Sequence, residues 1–133
     1  MMYALDTNII IFLLNEDKNI ERKISAALRN DDDFVIPIVV DYEVRRGLLC
    51  QPSANKERIY GVLRKTYGLG VMRPQMWQES VNIYFELRKK GFEIGDCDIF
   101  IAAFCLFNDY PLITRNIKHF ENIAGLRCFN WVD

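Results

Sequence analysis

The chain has 133 residues, 50% apolar and 26% charged, which suits one soluble domain spanning residues 1–133 with a core of its own. Its 17 Lys and Arg against 18 Asp and Glu leave a net charge of −1, which excludes a polybasic nucleic-acid binder and confines any such contact to a local patch. Its apolar runs fall short of the ~20 residues a membrane span needs, and the N-terminal stretch meets an acid at Asp6 without a basic leader. A cytoplasmic protein with no membrane partner is expected. The four cysteines form no CxxC pair, and inert thiols in a reducing compartment are the reading adopted for them.

Residues 2–5 form a short apolar run of the kind a buried parallel strand shows. It stops at Asp6-Thr7-Asn8, where Thr7 or Asn8 can cap a helix over residues 9–14. Asp6 then lies at the carboxyl end of a strand, where open α/β sheets place their ligands. Residues 17–30 carry Ile20, Ile24, Ala27 and Leu28 at helical spacing. Asp31-Asp32-Asp33 reads as a solvated turn before a second strand at 34–38. A helix over 39–50 holds Glu43 in its first turns, with Arg45 and Arg46 directly after, and Pro52 breaks it. The next helix, 53–67, is expected to turn Ile59, Val62 and Leu63 inward. A short strand within 68–72 leads to a helix opened by Pro74 and ended by Gly91. That helix carries Met76, Ser80, Ile83 and Leu87 on one stripe, with Trp77, Val81 and Tyr84 beside it. Trp77, Tyr84 and Phe85 suit core or dimer contacts better than base stacking.

Residues 95–106 combine two acids, Asp96 and Asp98, with a run too apolar for a surface helix. The two acids stand about 200° apart around a regular helix. Asp96 is therefore expected at or before the N-cap and Asp98 in the first turn, where the helix N-terminus favours an anion. Residues 111–114 form another short strand, followed by Arg115-Asn116, and an edge strand is expected near 126–129. Alternating strands and helices predict an α/β fold, a mainly parallel sheet of four to five strands flanked by helices in three layers. Its strand ends and helix starts would bring Asp6, Glu43, Asp96, Asp98, Thr114 and Asn116 to one rim.

Carboxylates gathered at one point repel each other unless a cation lies between them. All-oxygen ligation favours Mg2+ or Mn2+, and one histidine with scattered cysteines makes no zinc pattern. Such an ion activates a bound water and neutralises phosphate charge, the chemistry of phosphodiester hydrolysis. Each acid also has a plainer reading: Asp6 as a helix cap, Glu43 as a partner of Arg45 or Arg46, Asp98 as a dipole-favoured residue. Arg45, Arg46, Arg115, Lys118 and His119 suit RNA phosphates or simple solvation.

Asp6-Thr7-Asn8, Glu43 before Arg45-Arg46-Gly47, Asp98-x-x-Ile101-Ala102, and Thr114-Arg115-Asn116 with Phe120 four residues on together resemble a PIN domain. More narrowly they resemble the VapC toxins of bacterial toxin–antitoxin pairs. The resemblance implies a Mg2+-dependent endoribonuclease, with Mn2+ able to substitute, inhibited by a VapB-type antitoxin and forming a homodimer. It carries Asp6, Glu43 and Asp98 over as the essential metal-site acids, Glu43 by way of a water. Asp96 would be an additional acid, and Thr7, Asn8, Thr114 and Asn116 would support the site. Asn116 stands where some relatives carry a further aspartate, and Asp41 where the family usually has serine or another small residue. The Gly125-Leu126-Arg127…Asn130-Trp131 ending resembles the branch that cuts initiator tRNA, which makes tRNA a candidate substrate. Other functions on these residues are a housekeeping PIN nuclease of RNA processing, a phosphohydrolase of small substrates, and a non-catalytic binding module on the same fold.

Overall fold

Strand β1 (Met2–Leu5) is the middle of the sheet, and Ala4 and Leu5 on it are fully buried. The computed structural model describes residues 1–133. The remaining strands are β2 (Asp33–Pro37), β3 (Leu69–Gly70), β4 (Leu112–Ile113) and β5 (Cys128–Phe129), in the all-parallel order β3-β2-β1-β4-β5. Successive crossovers from β1 run outward through β2 to β3. The chain then returns to lay β4 against the other side of β1, so the order reverses at β1. That reversal opens a crevice beyond the carboxyl ends of β1 and β4, the position where such sheets bind ligands. The parallel-sheet expectation holds, with five strands.

The helices are α1 (Thr7–Leu14), α2 (Lys18–Arg29), α3 (Ile38–Cys50), α4 (Ala54–Tyr67), α5 (Pro74–Lys90), α6 (Asp96–Asn108) and α7 (Ile117–Phe120). Helix α6 is the apolar helix foreseen in the sequence: Ile101, Ala102, Ala103 and Cys105 are fully buried, and it packs along α5. The α5 stripe Met76, Ser80, Ile83 and Leu87 is buried as its spacing requires. Gly91, with φ +81°, ends α5 in the left-handed conformation that glycine adopts without a Cβ penalty. Gly70 is needed for another reason. A Cβ there would overlap the ring of the buried Phe104 at Cζ, so β3 approaches α6 too closely for a side chain. Tyr3, Phe34 and Trp131 form a cluster with ring centroids 5.1–6.0 Å apart that pins the C-terminal tail to the sheet.

Five local expectations need correction. The cap of α1 is not Thr7 or Asn8 but Asp6, as its plainer reading had it, with Oδ1 accepting from Thr7 N–H at 2.8 Å. Gly95 occupies the N-cap of α6, so Asp96 stands at the first helical position instead of at or before the cap, while Asp98 is in the first turn as expected. Val62 faces outward at 56% exposure, and Tyr60 is the buried residue of α4 because its hydroxyl has a partner inside. Of the thiols read as buried or inert, Cys50 is exposed, and all four are free as expected. The one-turn helix α7 did not show in the sequence, since four residues carry no periodicity; its Phe120 plugs the core at 1% exposure.

Candidate active site at the carboxyl rim

Asp6 is only 4% exposed at the end of β1. Its backbone N–H continues the sheet by donating to Ile113 O at 3.0 Å. Its Oδ2 accepts from Thr114 Oγ1 at 2.7 Å and from Asn8 Nδ2 at 3.2 Å. Thr114 Oγ1 in turn accepts from Asn116 N–H at 3.0 Å, and Asn8 Oδ1 accepts from Arg115 N–H at 3.1 Å. These bonds tie the ends of β1 and β4 together around one carboxylate. Thr7, Asn8, Thr114 and Asn116 therefore stand where the sequence expected supporting residues, Asn116 through its backbone.

Every donor to Asp6 is neutral, and no Lys, Arg or His lies within ion-pair distance of it. Burial pushes its pKa up to about 6; the Thr114 and Thr7 hydrogen bonds oppose the shift, and the charges of Asp98 and Glu43 add to it. Burial is a larger cause of the shift than repulsion among the acids. Glu43 is tied to Asp6 through Thr7, whose N–H goes to Asp6 and whose hydroxyl goes to Glu43.

The other acids arrive from helix starts. Glu43 on α3 accepts from Thr7 Oγ1 at 2.6 Å through Oε1, and its Oε2 lies 3.6 Å from an Arg46 guanidinium nitrogen. Asp98 has its Oδ2 3.3 Å from His119 Nδ1 of α7. Asp96 is exposed at the first position of α6 and makes no side-chain hydrogen bond or ion pair. No three acids are gathered into a ready chelating set. Like charges spread when each can find a separate partner, and Arg46 and His119 provide those partners for Glu43 and Asp98. The donor set nevertheless fits a hard divalent cation: oxygen ligands only, one of them a buried carboxylate without a counter-charge. Cys97 lies between Asp96 and Asp98, and burial raises its thiol pKa, with Glu43 adding to the shift.

The basic residues divide. Arg46 and His119 touch site acids. Arg115 reaches Asp133 at 3.7 Å and stacks over Phe12, and Lys118 is exposed. Arg45 turns instead to Asp41 at 3.7 Å. Asp41 is the largest surprise in this region. It is 4% exposed, accepts from Tyr60 Oη at 2.7 Å, and has Arg64 Nε 3.1 Å from the same oxygen. The signal was available: Asp41 occupies the apolar stripe of α3 between the buried Val40 and Val44, where an acid must be paired.

Comparison with known proteins agrees with this arrangement. The PIN domain family matches residues 3–126. Ribonuclease VapC1 of Haemophilus influenzae is 33% identical over 98% of each chain. The tRNA(fMet)-specific endonuclease VapC of Salmonella typhimurium is 25% identical, also over 98% of each. The structure of VapBC-1 from nontypeable Haemophilus influenzae superposes with a TM-score of 0.84 at 31% identity, covering 100% of both chains. VapBC2 of Rickettsia felis, solved bound to a promoter DNA fragment, reaches a TM-score of 0.91 at 23% identity, covering 98% of this chain and 99% of that one, a likeness of fold. With its buried Asp6, its acid-led helix α6 and these relatives, the chain belongs to the PIN-domain family, among the VapC-type ribonucleases.

Proposed function

We infer that this chain is a Mg2+-dependent endoribonuclease, the toxin of a VapBC-type pair, with Mn2+ able to substitute and initiator tRNA the first substrate to try. The observation that carries the reading is Asp6: a buried carboxylate given only neutral donors, with Asp98 and Glu43 close enough to raise its pKa. Asp6 and Asp98 would hold the ion directly and Glu43 through a water. The ion would supply an activated water and neutralise charge on the scissile phosphate. Thr114, Thr7 and Asn8 keep the Asp6 carboxylate in one orientation, which is the part of the work the protein does before any ligand arrives. Arg46 and His119, now beside Glu43 and Asp98, become available for RNA phosphates once the acids have a cation. The tRNA assignment draws on the relative named for tRNA(fMet) and on the Arg127…Trp131 ending.

A VapB-type antitoxin is the partner, a reading supported by the relative solved as VapBC-1, and covering this rim is how it would inhibit. Trp77, Val81, Tyr84 and Phe85 form an exposed apolar face on α5, 45–60% accessible each, which suits a second copy in a homodimer. The test is incubation of the purified chain with total RNA and with initiator tRNA, in Mg2+ and in chelator, followed by mapping of the new ends. Cleavage that requires the ion and disappears in Asp98→Asn supports the reading. Cleavage unaffected by chelator or by that variant refutes it.

A further inference from the structure

Beyond the rim, a groove of about 530 Å3 runs between α3 and α4, and Arg46 belongs to both, lining the groove while lying 3.6 Å from Glu43. We propose that this groove is the track along which the RNA strand leaves the cleavage site, with Arg45, Arg46 and Arg64 on its phosphates and Tyr42 under a base. The proposal rests on the ribonuclease reading and adds a substrate subsite to it.

The groove is built around a buried acid. Asp41 uses one oxygen for Tyr60 Oη and faces Arg64 with it, and its other oxygen lies 3.7 Å from Arg45. Buried at the groove floor, the carboxylate positions two guanidinium groups that are themselves 39% and 64% exposed at the side chain. Neither is used up by this pairing. Arg64 turns its buried Nε to Asp41 at 3.1 Å and makes no hydrogen bond through its terminal nitrogens, and Arg45 lies beyond hydrogen-bond range. A guanidinium with spare donors, held by a buried anion, suits a phosphate oxygen. Tyr42 is 58% exposed with Arg46 over one face of its ring at 5.0 Å, a platform of the kind on which unpaired bases stack. Three guanidinium groups face two carboxylates along the groove, Asp41 and the exposed Glu57. With Arg46 released from Glu43 by a cation at the rim, the lining is basic in a chain whose net charge is −1, which favours a polyanion over a protein helix. Asp41, which departs from the small residue usual at its position, thereby acquires a role as a positioning residue.

The test measures binding of a short fluorescein-labelled single-stranded RNA to the full chain in an Asp98→Asn background, across salt. Arg45→Gln/Arg64→Gln should weaken binding roughly 10- to 100-fold and flatten the log–log salt slope by about 0.7 for each lost phosphate contact. In the active protein the same pair should raise KM for RNA and leave kcat nearly unchanged. Lys23→Gln/Arg29→Gln, an equal loss of charge on the exposed face of α2, should change neither. If the pair lowers the melting temperature, Arg45→Gln alone serves, with about half the change in slope. Wild-type affinity and slope in both variants would overturn the track and leave the nuclease intact. No RNA binding by the Asp98→Asn parent at low salt would overturn both. Unchanged RNA binding together with lost co-elution of a co-expressed antitoxin would make the groove a protein site and also overturn the track.

Discussion

Asp6 should make the metal-free protein less stable as pH rises. Its pKa is about 6 in the folded chain against an ordinary 3.8, so between those values the native state keeps a proton that the unfolded chain has lost. Where the native state binds more protons than the unfolded state, stability falls with pH. The contribution is therefore intact below pH 3.8, declines between about 4 and 6, and is fully lost above. The displacement converts to about 3 kcal/mol at 1.36 kcal/mol per unit, on the order of 10 °C in melting temperature for a domain of this size. Asp6→Asn removes the titration and can keep the acceptor for Thr7 N–H. Its amide group can donate to Thr114 Oγ1 if that hydroxyl turns, but it meets Asn8 Nδ2 donor to donor, which costs part of the gain.

The assay is thermal melting of wild type and Asp6→Asn in chelator, from pH 4 to 8, read as the difference between the two chains. The difference should grow in favour of the variant between about pH 4 and 6 and level off above. At neutral pH, Mg2+ at a hundredfold excess over its Kd should then restore about 2.7 kcal/mol to wild type and little to the variant. Parallel melting curves across the whole range would refute the reasoning. Asp6 would then be ionised at an ordinary pKa, with Thr114, Thr7 and Asn8 fully compensating its charge and no cation awaited.

Glu43→Gln and Asp98→Asn should each reduce RNA cleavage by more than the 10–100-fold typical of ligand support, and Asp96→Asn should fall within about that range. Rates of end formation on initiator tRNA at fixed Mg2+ check the order. Gly70→Ala should destabilise the fold by about 1–3 kcal/mol, because the new methyl meets Phe104 within the core; denaturant melts measure it. Tyr60→Phe should cost about 1–3 kcal/mol by removing the hydroxyl that Asp41 accepts from; the same melts show it. If the proposed homodimer forms through the exposed face of α5, Val81→Glu should turn it to monomer in light scattering without lowering the melting temperature, and an unchanged mass would refute that face as the interface.

The elements that carried periodicity were legible. The stripe of α5, the apolar run of α6 and the short strands before Asp6 and Thr114 follow from burial patterns that any homologous packing must satisfy. Chain order also brought Asp6, Glu43, Asp98 and Thr114 to one rim, since strand ends and helix starts share it. Contacts made by polar groups across elements were not legible. Thr7 to Glu43, His119 to Asp98 and Tyr60 to Asp41 join residues 19 to 36 positions apart. Neither spacing nor propensity encodes such a pairing; it appears only once α1, α3, α4, α6 and α7 have docked. The inward face of α4 was misjudged for the same reason, because a hydroxyl with a buried partner outcompetes a valine for the interior.

Two aspartates in this chain are equally buried, at 4% exposure each, and the sequence alone treats both as acids near a helix start. What separates them is the charge of their neighbours. Asp41 has Arg45 and Arg64 beside it, so its charge is balanced within the protein, and its place is structural first. Asp6 has three hydrogen bonds, all from groups without charge, and two further acids within electrostatic reach. Hydrogen bonds of that kind orient a carboxylate but do not neutralise it. A buried acid whose charge the protein leaves uncompensated must hold a proton or a cation. At neutral pH, above a pKa of about 6, the proton is mostly gone. The imbalance at Asp6, more than the number of acids on the rim, is the ground on which the proposed divalent ion is placed at this end of the sheet.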